Sequence, residues 1–104
     1  MKKSKKPKLT AQKILRTLEN NRDKMVRYTV KKLGLFGSFA KNKQKKKSDI
    51  DFLVVFDRPT FDNYMEMKFL LERLFHRKVD LVTEKSLKPA LAYVKKEALY
   101  AKRL

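Results

Sequence analysis

The chain has 104 residues, of which 42% are hydrophobic, so we expect it to fold around one modest core. Its 28 lysines and arginines against 11 acidic residues give a net charge of +17, which predicts attraction to polyanions such as nucleic acid or nucleotides. The absence of cysteine and the single histidine exclude disulfides and thiolate or histidine metal sites, so any metal would need carboxylate ligands, which favours Mg²⁺ or Mn²⁺.

The first eight residues differ in composition from the rest of the chain. Residues 1–8 contain five lysines and a proline, so we expect a basic flexible tail, with residues 9–104 forming a single domain. No apolar segment follows this charged start, and the longest apolar runs, Phe52–Phe56 and Phe69–Leu71, are too short to cross a bilayer. We therefore expect a cytoplasmic protein with no membrane contact.

The first elements in chain order are two helices. Thr10 is a candidate N-cap, and the residues after it follow the spacing of one helix face: Ala11, Ile14, Leu15 and Leu18. Either Asn20 or Asn21 could cap a second short helix that runs to about Tyr28.

Two strands and a loop follow. Val30–Phe36 is predicted to be a strand that ends at Gly37-Ser38, and a short helix is predicted to begin at Phe39-Ala40. Residues 41–47 form a lysine-rich loop, and the β-branched and aromatic run Ile50–Phe56 is the clearest strand. Its alternation separates two faces: one has Asp49, Asp51, Leu53 and Val55, and the other has Ile50, Phe52, Val54 and Phe56.

The remainder is predicted as helix, strand and helix. Thr60 should cap a helix from Phe61 to about Phe75, with His76 at its end, where a cation suits the helix dipole. Lys78–Thr83 should be a third strand. A final helical region should begin near Ser86, and its apolar stripe would comprise Leu87, Leu91, Val94, Ala98 and Ala101.

Three aspartates near the strand ends are candidate metal ligands. Asp49 and Asp51 are two residues apart, which on a strand points both the same way at a separation of ~6–7 Å. Two carboxylates so placed can bracket a divalent ion, and Asp80, within the apolar run 79–82, could converge on the same ions. The alternatives are a turn at Ser48-Asp49 with a solvated Asp51, and an Asp80 that faces water or pairs with a neighbouring basic residue.

The Gly37-Ser38 turn is a candidate phosphate site. Glycine permits a tight turn and close approach of a phosphate to the backbone, and Ser38 adds a hydroxyl donor. Such a turn is common by itself; its combination with Asp49, Asp51 and Asp80 is specific.

These motifs together resemble the minimal nucleotidyltransferases, the smallest members of the DNA polymerase β-like nucleotidyltransferase superfamily. The resemblance is carried by Gly37-Ser38-Phe39-Ala40, Ser48-Asp49-Ile50-Asp51 and Val79-Asp80-Leu81-Val82, and it extends from about Leu9 to the end. It implies an α/β (α+β) nucleotidyltransferase fold, with a small mixed sheet of at least three strands flanked by helices.

The resemblance also implies a site. Asp49 and Asp51 would hold two Mg²⁺ ions, with Mn²⁺ as a substitute, and Asp80 would complete one metal site; these three are the implied catalytic residues. Gly37 and Ser38 would hold the terminal phosphates of ATP. Many relatives have Arg-Gly where this chain has Lys41-Asn42, so Lys41 would supply charge without the bidentate fork of arginine, and Asn42 could keep the left-handed turn.

The implied reaction transfers AMP from ATP to a hydroxyl of a partner protein. About 20 residues follow the third predicted strand, and we expect them to cover the sheet, so another protein would present the acceptor. By the resemblance, members of the family are typically encoded beside a HEPN-domain protein and act as its antitoxin, so a HEPN toxin encoded by the neighbouring gene is the implied partner. The rival interpretation is a non-catalytic antitoxin or a basic RNA-binding module on this fold. The loop lysines are either solvated or contact triphosphate or RNA; nucleic acid therefore stays open as a partner.

Overall fold

The computed structural model describes residues 8–102, and most of the predicted basic tail lies outside this range. The elements in chain order are α1 (Ala11–Asn20), α2 (Arg22–Val26), β1 (Val30–Phe36), α3 (Gly37–Ala40), β2 (Ile50–Phe56), α4 (Phe61–Phe75), β3 (Val79–Thr83), α5 (Val94–Glu97) and β4 (Leu99–Tyr100). Two 3₁₀ turns, Glu84–Ser86 and Pro89–Leu91, lie between β3 and α5. No helix within residues 8–102 has the length and apolar character needed to span a membrane.

The strands form one mixed sheet in the order β3-β2-β1-β4. β1 is antiparallel to both β2 and β4, whereas β2 is parallel to β3, with α4 as the crossover connection. The predicted fold class, a small mixed sheet flanked by helices, is confirmed.

The two faces of β2 contact different parts of the chain, as its alternation predicted. One face packs into the main core with residues of α1 and α4, which include Ile14, Leu18, Met67 and Leu71. The other face places Leu53 in a second, smaller cluster with Val94 and Ala98. In the C-terminal segment, residues 84–102, the part before β4 therefore covers the sheet face opposite to the main helices.

Side-chain caps fix the starts of the two long helices. The Thr10 hydroxyl accepts a hydrogen bond from Lys13 N at 3.3 Å, and the Thr60 hydroxyl accepts one from Asn63 N at 3.1 Å. Both predicted caps are confirmed. At the end of α4, His76 adopts a left-handed conformation with φ 50° and terminates the helix.

The predictions for the second helix and for the final helical region were wrong. The second helix ends at Val26 rather than near Tyr28, and Asn21 makes no side-chain cap because its amide donates to Thr17 O in α1 instead. The final region from Ser86 is two 3₁₀ turns and the one-turn α5, followed by β4, rather than one continuous helix. The chain leaves the helical conformation at Ala98 because Leu99 and Tyr100 pair with Leu35 and Gly34 of β1.

Candidate active site

Asp51 and Asp80 lie side by side on two parallel strands. Each is the second residue of its strand, and the register pairs Asp51 of β2 with Asp80 of β3. Adjacent strands are ~4.8 Å apart, so this pairing places two carboxylates at one end of the sheet. Asp49 immediately precedes β2 and is exposed. The structure thus brings the three predicted acidic residues to the same end of the sheet.

The carboxylate of Asp51 is in an unfavourable environment for a negative charge. Partial burial, followed by the charges of Asp80 and Asp49, raises its pKa from 3.8 to about 6. Despite the net charge of +17, no ion pair within residues 8–102 involves any of these three aspartates. The site therefore concentrates negative charge that the described side chains do not neutralise.

The donor set fits a divalent cation. Mg²⁺ and Mn²⁺ prefer carboxylate oxygens, and a cation between these groups would relieve the repulsion that raises the pKa of Asp51. Across residues 8–102, however, no three acidic, histidine or cysteine side chains are already arranged to hold a metal ion. Mg²⁺ usually keeps water and substrate phosphate oxygens in its shell, so a complete protein cage is not required.

The Gly37 turn is packed directly against Asp51. Gly37 begins α3 with φ 74°, a conformation that favours glycine, and the register pairs the preceding Phe36 with Asp51. A Cβ atom at Gly37 would overlap Oδ2 of Asp51 and lie 3.0 Å from its Cγ. Glycine at this position therefore allows the predicted phosphate turn and the predicted metal ligand to touch.

The rest of the turn keeps the expected shape. Ser38 is half-buried, and its carbonyl accepts a hydrogen bond from Lys43 N at 2.8 Å. Asn42 has φ 57°, the left-handed conformation that was predicted for this position. The left-handed turn is therefore present after α3.

A cleft of about 470 Å³ opens beside the turn and Asp80. From the predicted site, Gly37, Lys41 and Asp80 line it, whereas Ser38, Asp49 and Asp51 do not. Its remaining wall comes mainly from the C-terminal segment and includes Leu87, Lys88, Leu91, Tyr93, Val94 and Glu97. This volume lies within the usual range of ligand pockets, and the mixture of apolar wall and a few charges is typical of them.

The sequence did not predict that the C-terminal segment would form this wall. Leu87, Leu91 and Val94 were assigned to an apolar stripe that packs on the sheet, yet Leu91 is 42% exposed and faces the cleft. Tyr93 is half-exposed at the same cleft. Pro89, which supports a 3₁₀ turn rather than a longer helix, was the available signal for a curved segment.

Comparison with known proteins gives one family. A family model described as a nucleotidyltransferase domain matches residues 13–104. A Methanocaldococcus jannaschii protein with a provisional name of protein adenylyltransferase is 45% identical over 73 residues, which are 67% of this chain and 71% of that protein. Protein adenylyltransferase MntA of Thermococcus cleftensis is 38% identical over 76 residues, 71% of this chain and 77% of MntA.

Solved structures share the fold. A structure provisionally described as a minimal nucleotidyltransferase has a TM-score of 0.67 at 33% identity, covering 82% of this chain and 93% of that one. A toxin–antitoxin complex with AMP-PNP has a TM-score of 0.64 at 24% identity, covering 83% and 73%. A complex of tri-AMPylated Shewanella oneidensis HEPN toxin with its MNT antitoxin has a TM-score of 0.58 at 21% identity, covering 86% and 73%.

Proposed function

This chain belongs to the nucleotidyltransferase domain family, and we propose from this premise that it is a protein adenylyltransferase that moves AMP from ATP to a hydroxyl of a partner protein. In that reaction the acceptor oxygen forms a bond to the α-phosphorus of ATP and the bond from the α-phosphorus to the bridging oxygen breaks. Pyrophosphate leaves, and the hydroxyl proton passes to a base.

The observation that carries the proposal is the in-register pair of Asp51 and Asp80 beside the Gly37 turn. Adjacent carboxylates that lack a basic partner are costly in a folded protein unless a cation joins them. The turn also lines a cleft at the same place, which supports a nucleotide as the ligand that arrives with the cation.

Each residue has a proposed role. Asp49, Asp51 and Asp80 would hold Mg²⁺, or Mn²⁺ in its place, and the ions when bound would neutralise charge on the phosphates. Asp80, which is exposed at the cleft, would help to remove the proton of the acceptor hydroxyl. Gly37 and Ser38 would contact the terminal phosphates, and the Lys41 ammonium would pair with them from the adjacent wall.

The proposed acceptor is a HEPN-domain toxin, with this chain as its antitoxin. The support is a resemblance: chains of similar fold occur in toxin–antitoxin complexes, one of which contains AMP-PNP and another an AMPylated HEPN toxin. The described domain is small, and its open cleft leaves access for an acceptor presented by a second protein.

The test is label transfer to the product of the neighbouring gene. With Mg²⁺, ATP labelled at the α-phosphate should label that protein, whereas ATP labelled at the γ-phosphate should not. Asp51→Asn should abolish the transfer and leave the circular dichroism spectrum unchanged; Asp57→Asn, at the far end of β2, is the matched control. If the chain instead binds RNA, with an affinity that falls steeply with salt and ignores Mg²⁺, and transfers no label, it is a basic binding module.

A further inference from the structure

The Arg77 side chain contacts the backbone of the lysine loop. Arg77 follows α4 and precedes β3, and its side chain is half-buried. One of its terminal guanidinium nitrogens donates two hydrogen bonds, to Lys46 O at 2.8 Å and to Ser48 O at 3.0 Å. These carbonyl groups lie at the end of the loop, and the Ser48 carbonyl belongs to the peptide unit that enters Asp49.

The same guanidinium also contacts the phosphate turn. Its central carbon lies 5.3 Å from the centroid of the Phe39 ring. Phe39 is fully buried in α3, directly after Ser38, so its ring is a fixed platform. A guanidinium can stack on an aromatic face while its N–H groups point outward in the plane, and Arg77 uses both properties at once.

These contacts join the segments that carry the site. Arg77 touches Phe39 beside the Gly37-Ser38 turn and Ser48 beside Asp49, and it lies three residues before Asp80 in the chain. The loop that it holds contains five lysines, at 41, 43, 45, 46 and 47, whose mutual repulsion favours a more open conformation. A cation that bonds to carbonyl oxygens here is therefore positioning backbone rather than neutralising a carboxylate.

We propose that Arg77 is a positioning residue that fixes the Ser48-Asp49 peptide against the phosphate turn. Its role rests on the proposed transferase activity, because the alignment it maintains matters only if Asp49 and the turn act on one nucleotide. Arg77 does not line the cleft, which separates this role from a direct contact to phosphate.

The first test needs no activity. Amide hydrogen exchange is measured on the chain alone for wild type, Arg77→Gln and Arg77→Lys, with Arg73→Gln on the exposed last turn of α4 as the matched control. Exchange at residues 45–50 should rise about tenfold in both Arg77 variants, because neither glutamine nor lysine has a planar guanidinium that can stack on Phe39 while it donates to both carbonyl groups, and it should not change in α1 or in the control. Unchanged exchange in that segment overturns the proposal, whatever the chain catalyses.

The second test uses the reaction. Steady-state transfer should show kcat reduced about 10- to 100-fold in both Arg77 variants, as for residues that orient a ligand of a metal, with KM for ATP within about twofold of wild type. Mn²⁺ binding measured by electron paramagnetic resonance should weaken by a similar factor. If KM for ATP rises while kcat stays unchanged and Arg77→Lys retains activity, Arg77 binds phosphate directly and the positioning role is wrong.

The two tests also separate this proposal from the transferase proposal. If wild type transfers nothing although amide exchange at residues 45–50 rises in the variants, the transferase proposal fails, and with it the catalytic purpose of this contact.

Discussion

Asp51 on β2 and Asp80 on β3 are register partners in a parallel strand pair. Gly37, which directly follows β1 on the other side of β2, packs against Asp51. Three adjacent strands, β1, β2 and β3, thereby contribute one group each to the same end of the sheet. A site of this kind depends on strand order as much as on residue type. The order β3-β2-β1 is what makes residues that are far apart in the sequence neighbours in space.

The raised pKa of Asp51 predicts a pH-dependent cost to stability. The folded chain holds this proton up to about pH 6, whereas the unfolded chain releases it near pH 3.8. The contribution of Asp51 to the free energy of unfolding therefore falls as the pH rises between these values, and it stays low above them. In metal-free buffer at pH 7.5, Asp51→Asn should therefore be more stable than wild type, by about 1 kcal/mol after allowance for solvent screening of a half-exposed group. Urea unfolding at pH 7.5 and pH 3.5 measures this; the gain should disappear at the lower pH. A variant that is less stable than wild type at pH 7.5 contradicts the electrostatic account.

Divalent ions should stabilise the folded chain through the same carboxylates. Mg²⁺ or Mn²⁺ at ten times its Kd should add about 1.4 kcal/mol, which raises the Tm of a domain of this size by roughly 5–10 °C. Asp80→Asn should remove most of this increase, because it removes one of the two paired negative charges that attract the ion. Thermal unfolding at constant ionic strength measures the effect. An equal rise with NaCl alone would show general screening rather than a site.

Substituting Gly37 should damage both stability and activity. Alanine would strain a backbone with φ 74° and would overlap the Asp51 carboxylate, so we expect a loss of at least about 1–2 kcal/mol together with loss of transfer. The matched control is Gly34→Ala on β1, three residues before Gly37. A Cβ there would lie 2.9 Å from the Tyr100 ring, so it should disturb β4 and spare the paired aspartates. Chemical denaturation with label transfer on both variants separates the effects; full activity in Gly37→Ala would remove the turn from the proposed site.

Lys41 should contribute to nucleotide binding, and the neighbouring lysines should contribute less. It is the loop lysine that lines the cleft, whereas Lys47 is exposed outside it. Loss of one charge-assisted contact to phosphate should raise KM for ATP about tenfold in Lys41→Ala, with a small effect in Lys47→Ala. Steady-state kinetics at fixed salt compares the two. Equal increases in both variants would indicate general electrostatic attraction by the loop.

The local sequence pattern predicted the bounds of those helices and strands that pack one face against the main core. The bounds of β1 and β2 were predicted from composition, and α4 was bounded correctly because Thr60 caps one end and its apolar spacing stops at the other. Lys78–Thr83 was one residue too long at its start. The pairing of Asp51 with Asp80 depends on the parallel register of β2 and β3, which the sequence did not predict; the sequence indicated only that Asp80 could converge on the same ions.

The C-terminal segment contains a strand that the local sequence pattern did not predict. Leu99 and Tyr100 are too few to produce an alternating pattern, and they become a strand only because the edge of β1 is available to pair with them. Gly34 was the signal that could have located this contact, since glycine within a strand often marks close approach of another segment, and the Tyr100 ring lies against it. The contacts of Arg77 with two loop carbonyls and the Phe39 ring likewise join segments that are 29 to 38 residues apart, and no local pattern encodes them.

Intact mass spectrometry of the neighbouring-gene product tests the central claim most directly. The protein is incubated with ATP, Mg²⁺ and either wild-type chain or the Asp49→Asn, Asp51→Asn double variant. Our account predicts a mass increase of one or more adenylyl groups with wild type, located on a hydroxyl side chain, and none with the double variant. No increase with wild type under either Mg²⁺ or Mn²⁺, or an equal increase with the double variant, would contradict it.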